Sequence, residues 1–175
     1  MPSDVSTSSY GCAVPVSNTS FIYINDGVIR EYEIDIGNPT SNAGWMDANR
    51  WPVFSNIFFQ ECARIGNYIL INGGFGNSGR LSSTKIIDIA TRQVQDGGNM
   101  ATPRAYHGIA TVTTGGMTKT FALGGADYWT YKSSVEEWDE ENLTWNPADD
   151  LEEARYIFAV ITVPLSMVCS DSTMI

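Results

Sequence analysis

Apolar residues along this chain fall in short runs, each closed by Gly, Pro, Asn or Asp. Ser20 to Ile24, Val28 to Ile34, Tyr68 to Asn72, Lys119 to Leu123 and Ser133 to Trp138 all have this form, and Thr84 to Ile89 carries Asp88 near its end. Ala105 to Thr113 alternates into a strand, and Gly115-Gly116 supplies the turn that follows it. No stretch shows the sustained three-to-four-residue spacing of an amphipathic helix. Short strands at regular spacing, separated by turn residues, predict an all-β chain. The longest apolar run, Tyr156 to Pro164, contains Thr162 and reads as a strand, far short of a membrane-spanning helix.

The strands recur in order. Gly73-Gly74 closes one apolar run, and Gly124-Gly125 closes another 51 positions later. Arg104 recurs as Arg155 and Asp88 as Asp139 at the same interval of 51. Three landmarks on one period define a structural repeat, and a period near fifty points to blades or arrays. Repeat three gives four strands: Ala105 to Thr113, Lys119 to Leu123, Ser133 to Trp138 and Leu143 to Trp145. Repeat two gives Phe54 to Ala63, Tyr68 to Asn72, Thr84 to Ile89 and Gln93 to Gln95, with 75–80 as a loop. Repeat one is degenerate. Gly11 to Val16 is its first strand, Asn25-Asp26 stands where Gly-Gly is expected, Trp45 matches Trp145, and Arg50 takes the place of Arg104. A fourth repeat starts at Arg155 and delivers one strand, Ile157 to Val163.

Arg104 with His107-Gly108, the apolar run into Gly124-Gly125, then Trp138-Asp139 and Trp145 together resemble the kelch repeat, over roughly residues 11 to 163. The resemblance implies a segment of a kelch-type β-propeller, built from four-stranded antiparallel blades packed radially. On that reading 1–10 is a disordered N-terminal segment, and 11–49, 50–103 and 104–154 are successive blades. Residues 155–163 begin a fourth, and 164–175 form a tail. Gly73, Gly74, Gly124, Gly125, Arg104, Arg155, Trp138 and Trp145 are then scaffold. The glycines permit close approach, the arginines tie loop carbonyls, and the tryptophans fill the wedge between blades. Three repeats and one strand are too few to close a ring, so an open arc is expected, as part of a longer propeller or an incomplete product, with self-association at its free edges.

Composition narrows the partner. Lys and Arg number 10 against 20 Asp and Glu, a net charge of −10. Such a surface repels phosphate backbones and anionic membranes and attracts a basic patch on a protein partner. The three cysteines, Cys12, Cys62 and Cys169, form no CxxC pair. That excludes common zinc spacing and leaves Cys62 as a small buried hydrophobe, with a lean towards a cytoplasmic setting. Sequons at Asn18 and Asn142 become relevant in a secretory context.

Chemistry is sparse. His107 is the only histidine, and nothing marks a nucleophile and acid around it. Copper oxidases occur among kelch-like propellers, yet one histidine cannot build a multi-imidazole site. The carboxylates of Glu136, Glu137, Asp139, Glu140 and Glu141 lack alternating calcium-ligand spacing and read as a solvated turn. No catalytic residue, cofactor or metal is therefore expected. Binding signals are stronger. Asp127 to Lys132 places Tyr128, Trp129 and Tyr131 in one loop, and the equivalent loop of repeat two carries Arg80. Tyr, Trp and Arg are enriched at binding hot spots. The expectation is a non-catalytic protein-interaction module of the kelch type using Arg80, Tyr128, Trp129 and Tyr131. The alternatives are a remnant of a galactose-oxidase-like copper enzyme and an extracellular recognition module.

Overall fold

The computed structural model describes residues 11–34, 44–47, 50–54, 57–128 and 130–162. Every regular element in them is a strand apart from a single 3₁₀ residue at Arg50. The first blade contains β1 (Cys12–Pro15), β2 (Ser20–Asn25), β3 (Val28–Glu33) and β4 (Gly44–Trp45). The second contains β5 (Glu61–Ile65), β6 (Tyr68–Asn72), β9 (Thr84–Asp88) and β10 (Val94–Gly97). A small hairpin, β7 (Phe75–Gly76) and β8 (Gly79–Arg80), is inserted between β6 and β9, where the sequence predicts only a loop. The third contains β11 (Gly108–Thr114), β12 (Met117–Leu123), β13 (Val135–Asp139) and β14 (Thr144–Ala148). Each large sheet is an antiparallel meander in chain order, as hairpin connections require.

The repeat period acquires a physical meaning in the joints between blades. Gly74 N donates to Arg104 O at 2.9 Å, and Gly125 N donates to Arg155 O at 2.7 Å. Each Gly-Gly pair thus bonds to the arginine carbonyl that opens the next repeat. Gly73 and Gly124 lie at φ +62 and +60, and a Cβ there would sit 2.5 Å from Arg104 O and 2.6 Å from Arg155 O. Both the left-handed backbone and the close carbonyl demand glycine. Asp88 and Asp139 serve a second recurring joint. Asp88 Oδ1 accepts from Thr91 N at 2.7 Å, and Asp139 Oδ1 accepts from Glu141 N and Asn142 N at 3.0 and 3.1 Å. Each closes the turn between the third and fourth strands of its blade.

Arg104 is fully buried. Its Nη1 donates to Gly124 O at 2.9 Å and Ser134 O at 2.8 Å, and its Nη2 donates to Glu136 Oε1 at 2.6 Å. Glu136 also accepts from Ala101 N and Thr102 N. Glu136 is therefore a buried anchor, not part of a solvated turn. Opening such a pair by removing one partner costs about 3–5 kcal/mol. Arg155 repeats only the backbone role. Its side chain is exposed and pairs with Glu153 at 3.1 Å.

Two apolar cores fill the wedges. Blades one and two share Val14, Ile22, Ile24, Ile29, Trp51, Ile69, Ile71 and Ile87. Blades two and three share Ile65, Leu70, Ile86, Met100, Trp138 and Trp145. The Trp138 and Trp145 rings lie 5.2 Å apart, and Trp145 Nε1 donates to Thr84 Oγ1 at 2.8 Å across the joint. Trp45 pairs with Tyr32 as Trp145 pairs with Trp138, yet Trp45 is 55% exposed.

Four expectations need correction. Cys62 is buried but not a free hydrophobe: it forms a disulfide with Cys12, Cα to Cα 5.7 Å, joining β1 to β5. Arg50 does not occupy the Arg104 position; it pairs with Glu31 of blade one at 3.9 Å. Ile57 stands there instead, because Phe59 and Tyr106 share the left-handed backbone, and the Phe58–Phe75 bridge matches Ala105–Ala126. Those left-handed residues also delay the first strands, so β5 starts at Glu61 and β11 at Gly108 rather than at Phe54 and Ala105. Finally, Ile157 to Thr162 is not a ladder-paired strand. It runs beside β11, with Ile157 N donating to Tyr106 O and Thr162 Oγ1 donating to Thr111 O. No second strand of a fourth blade lies among the described residues to pair with it.

Candidate functional site

In a four-stranded meander the loop from second to third strand and the exit from the fourth strand lie on the same edge. The β6–β9 insertion, the connectors around Tyr106 and Tyr156, and the β12–β13 loop therefore share one rim. This brings three of the four sequence-selected residues together. Arg80 Cζ lies 4.8 Å from the Tyr128 ring centre and 5.2 Å from that of Phe75. The guanidinium thus bridges the hairpin of blade two and the loop of blade three, a cation–π arrangement. Tyr131 stacks on Tyr156 at 4.0 Å with ring planes 7° apart. Trp129 lies outside the described residues.

The loop is shaped locally before it is packed. Asp127 N donates to Thr130 O at 2.9 Å, and Asp127 Oδ1 accepts from Tyr128 N at 2.7 Å. The backbone bond from Tyr128, with the positive charge of Lys132 nearby, holds the Asp127 carboxyl below its ordinary value. Ala126 bridges to Tyr131, closing the loop and turning Tyr128 and Tyr131 outwards. Tyr128 then leans over Gly79, where any β-carbon would collide with its hydroxyl. The Gly-rich hairpin of repeat two and the Tyr-rich loop of repeat three are complementary across the seam.

Around this seam is a cavity of about 230 Å³ lined by Arg80, Tyr106, Asp127, Tyr128, Tyr131 and Tyr156. Tyr128, Tyr131 and Tyr156 are 54%, 57% and 41% exposed. Hydrogen bonding to Tyr156 raises the Tyr131 phenol above its ordinary value. Sequence reasoning missed Tyr106 and Tyr156. Both sit just after the recurring arginines, and that placement was the available signal.

The scaffold residues are elsewhere. Gly73, Gly74, Gly124, Gly125 and Arg104 form the blade joints, and Trp138 and Trp145 are in the core between blades two and three. His107 is 1% exposed, and its Nε2 lies 3.1 Å from Asn72 Oδ1. Burial, with Arg104 nearby, pushes its pKa down to about 3. Among the described residues no group of three or more His, Cys, Asp and Glu is placed to hold a metal ion, and no helix is long and apolar enough to cross a membrane.

No family model and no curated protein matches this sequence. Among solved structures the chain is similar to YjhT, with a TM-score of 0.63 and 12% identity, over 81% of this chain and 50% of that one. The chain thus spans half the length of that structure. At this identity the likeness concerns the fold alone, and the fold is a β-propeller segment of three four-stranded antiparallel blades with the start of a fourth.

Proposed function

We propose that this chain is a non-catalytic, kelch-type protein-interaction module whose docking face is the rim across blades two and three. The observation carrying this reading is the cluster of exposed Tyr128, Tyr131 and Tyr156 around a concave seam ordered by Arg80. Exposed tyrosines held in place by their own loop bury large area on binding with little entropy loss. The recurring bonds from Gly-Gly to the next arginine carbonyl support the kelch assignment. A net charge of −10 favours a partner presenting a basic patch.

An extracellular setting is the second reading, and the Cys12–Cys62 disulfide favours it. Disulfides persist in oxidising compartments and are rare in the cytosol. The lean towards a cytoplasmic setting, drawn from unpaired cysteines, loses its basis. Asn18 and Asn142 are both exposed, as glycosylation would require.

The test is selection of binding peptides from a displayed library, followed by titration of the best one. Replacing both Tyr128 and Tyr131 by Ala is expected to weaken it about tenfold or more, the loss of one or two hot-spot residues. Unchanged affinity in the double variant rejects the rim as docking face.

A further inference from the structure

The first strands of the three blades begin side by side, with Gly11, Glu61 and Gly108 at equivalent positions. Gly11 precedes the Cys12–Ile24 pair, while Glu61 and Gly108 pair with Asn72 and Leu123, the residues before the Gly-Gly turns. One carboxylate thus stands among glycines. Beside it opens a cavity of about 320 Å³ lined by Gly11, Gln60, Glu61, Tyr106, His107 and Phe158, among others. This volume lies at the low end of the range for small-ligand pockets.

Its polar groups are unbalanced. Gln60 and His107 are 2% and 1% exposed, and neither Gln60 Oε1 nor His107 Nδ1 has a hydrogen-bond partner. Gln60 spends its donor on Ile24 O at 3.4 Å. His107 donates through Nε2 to Asn72 Oδ1, which leaves Nδ1 as an acceptor. Glu61 has no ion pair among the described residues. Buried polar groups are ordinarily satisfied, and orphaned ones call for an explanation. Here the surplus is all of one kind: a carboxylate, an amide oxygen and an imidazole lone pair, beside the aromatic rings of Phe59 and Tyr106.

We infer that this cavity receives a cationic N–H donor, a guanidinium or ammonium group. A guanidinium offers five donors in a plane and stacks on aromatic faces, which matches the acceptors and rings present. Tyr106 lines both this cavity and the tyrosine-lined seam, so a basic side chain of a partner docked on the rim reaches it directly. That choice of source rests on the docking reading above; the chemistry of the cavity does not.

The probes are agmatine, a free guanidinium, and the peptide acetyl-Gly-Arg-Gly-amide, with its citrulline counterpart as the uncharged control. Binding is read by calorimetry and by amide chemical shifts of Gln60, Glu61 and His107. Saturable shifts at these residues with agmatine and the arginine peptide, and none with citrulline, are expected. Tighter binding of the peptide identifies a side chain as the source, and tighter binding of agmatine a free small-molecule guanidinium. Glu61→Gln is expected to weaken both about tenfold, by removing a charge-assisted hydrogen bond. The wild-type chain supplies an independent readout, because burial raises the Glu61 pKa to about 7. Affinity should fall severalfold from about pH 8 to about pH 6 as this carboxylate is neutralised. Of the other groups around the cavity, His107 is neutral throughout that window, and Arg104 beside it is paired with Glu136. Absent shifts, equal binding of citrulline, or affinity indifferent to both Glu61→Gln and pH overturns the inference. Agmatine binding that survives alanine at Tyr128 and Tyr131 separates this cavity from the rim, so either reading can fail alone.

Discussion

Gly73 shows how much of the fold rests on single positions. Its backbone is left-handed, and a β-carbon would meet Arg104 O at 2.5 Å. Gly66 is also left-handed, at φ +56, but has open space around it. Alanine at Gly66 should cost about 1–2 kcal/mol, the backbone penalty alone. Alanine at Gly73 should cost clearly more, because the joint to blade three must also open; equal losses in urea melts would refute the joint. Titration gives a second residue-scale prediction. The folded pKa of His107, about 3, lies below the ordinary 6.5, so between those values the unfolded chain binds the extra proton. Stability from His107 is present above pH 6.5 and is lost as pH falls towards 3. Glu61 acts in the opposite sense: its raised pKa favours the folded state below about 4.5, an advantage lost as pH rises through 7. The His107 contribution alone amounts to roughly 1.5 kcal/mol between pH 6.5 and pH 5. Over that range Glu61 offsets it, so His107→Gln should turn a nearly level pH profile into one in which stability rises on acidification, and an unaltered profile would show that His107 does not carry its share.

At the scale of elements, the strands with glycine or aspartate at their ends were legible in the sequence, and those lacking such punctuation were not. Tyr68 to Asn72 coincides with β6 because Gly66-Asn67 and Gly73 bracket it. The starts of β5 and β11 were misplaced because Phe59 and Tyr106 adopt left-handed backbone that their residue types do not advertise. The β7–β8 hairpin was missed because Gly76 to Gly79 reads as flexible loop, while its pairing depends on Phe75 meeting Arg80. The Cys12–Cys62 link was invisible because an odd count gives no pairing, and only the neighbouring positions of β1 and β5 bring the sulfurs together. That link closes a separation of 50 residues, for which chain entropy allows a stabilisation of about 4 kcal/mol. Reduction should lower the melting temperature markedly, and the Cys12→Ala, Cys62→Ala variant should match the reduced wild type. A melting temperature indifferent to reductant would mean that the bond contributes nothing.

For the molecule as a whole, the repeat accounts for the scaffold, and binding is assigned to what the repeat does not fix. The loop residues Tyr128 and Tyr131 and the bridging Arg80 were legible by composition. Tyr106, Tyr156 and Glu61 were not, because only the radial arrangement of blades brings the starts of neighbouring first strands and connectors to one rim. On the proposed function, the acidic surface and the tyrosine seam call for a protein partner with a basic patch. Their separation from the core is the central claim, and it is tested by measuring one variant, Tyr128→Ala with Tyr131→Ala, in two ways. Calorimetric titration with the selected peptide should show affinity reduced about tenfold or more. Thermal melting should be nearly unchanged, since both rings are more than half exposed. Full affinity, or a large fall in melting temperature, would contradict the account by showing that the loop is either idle or part of the core.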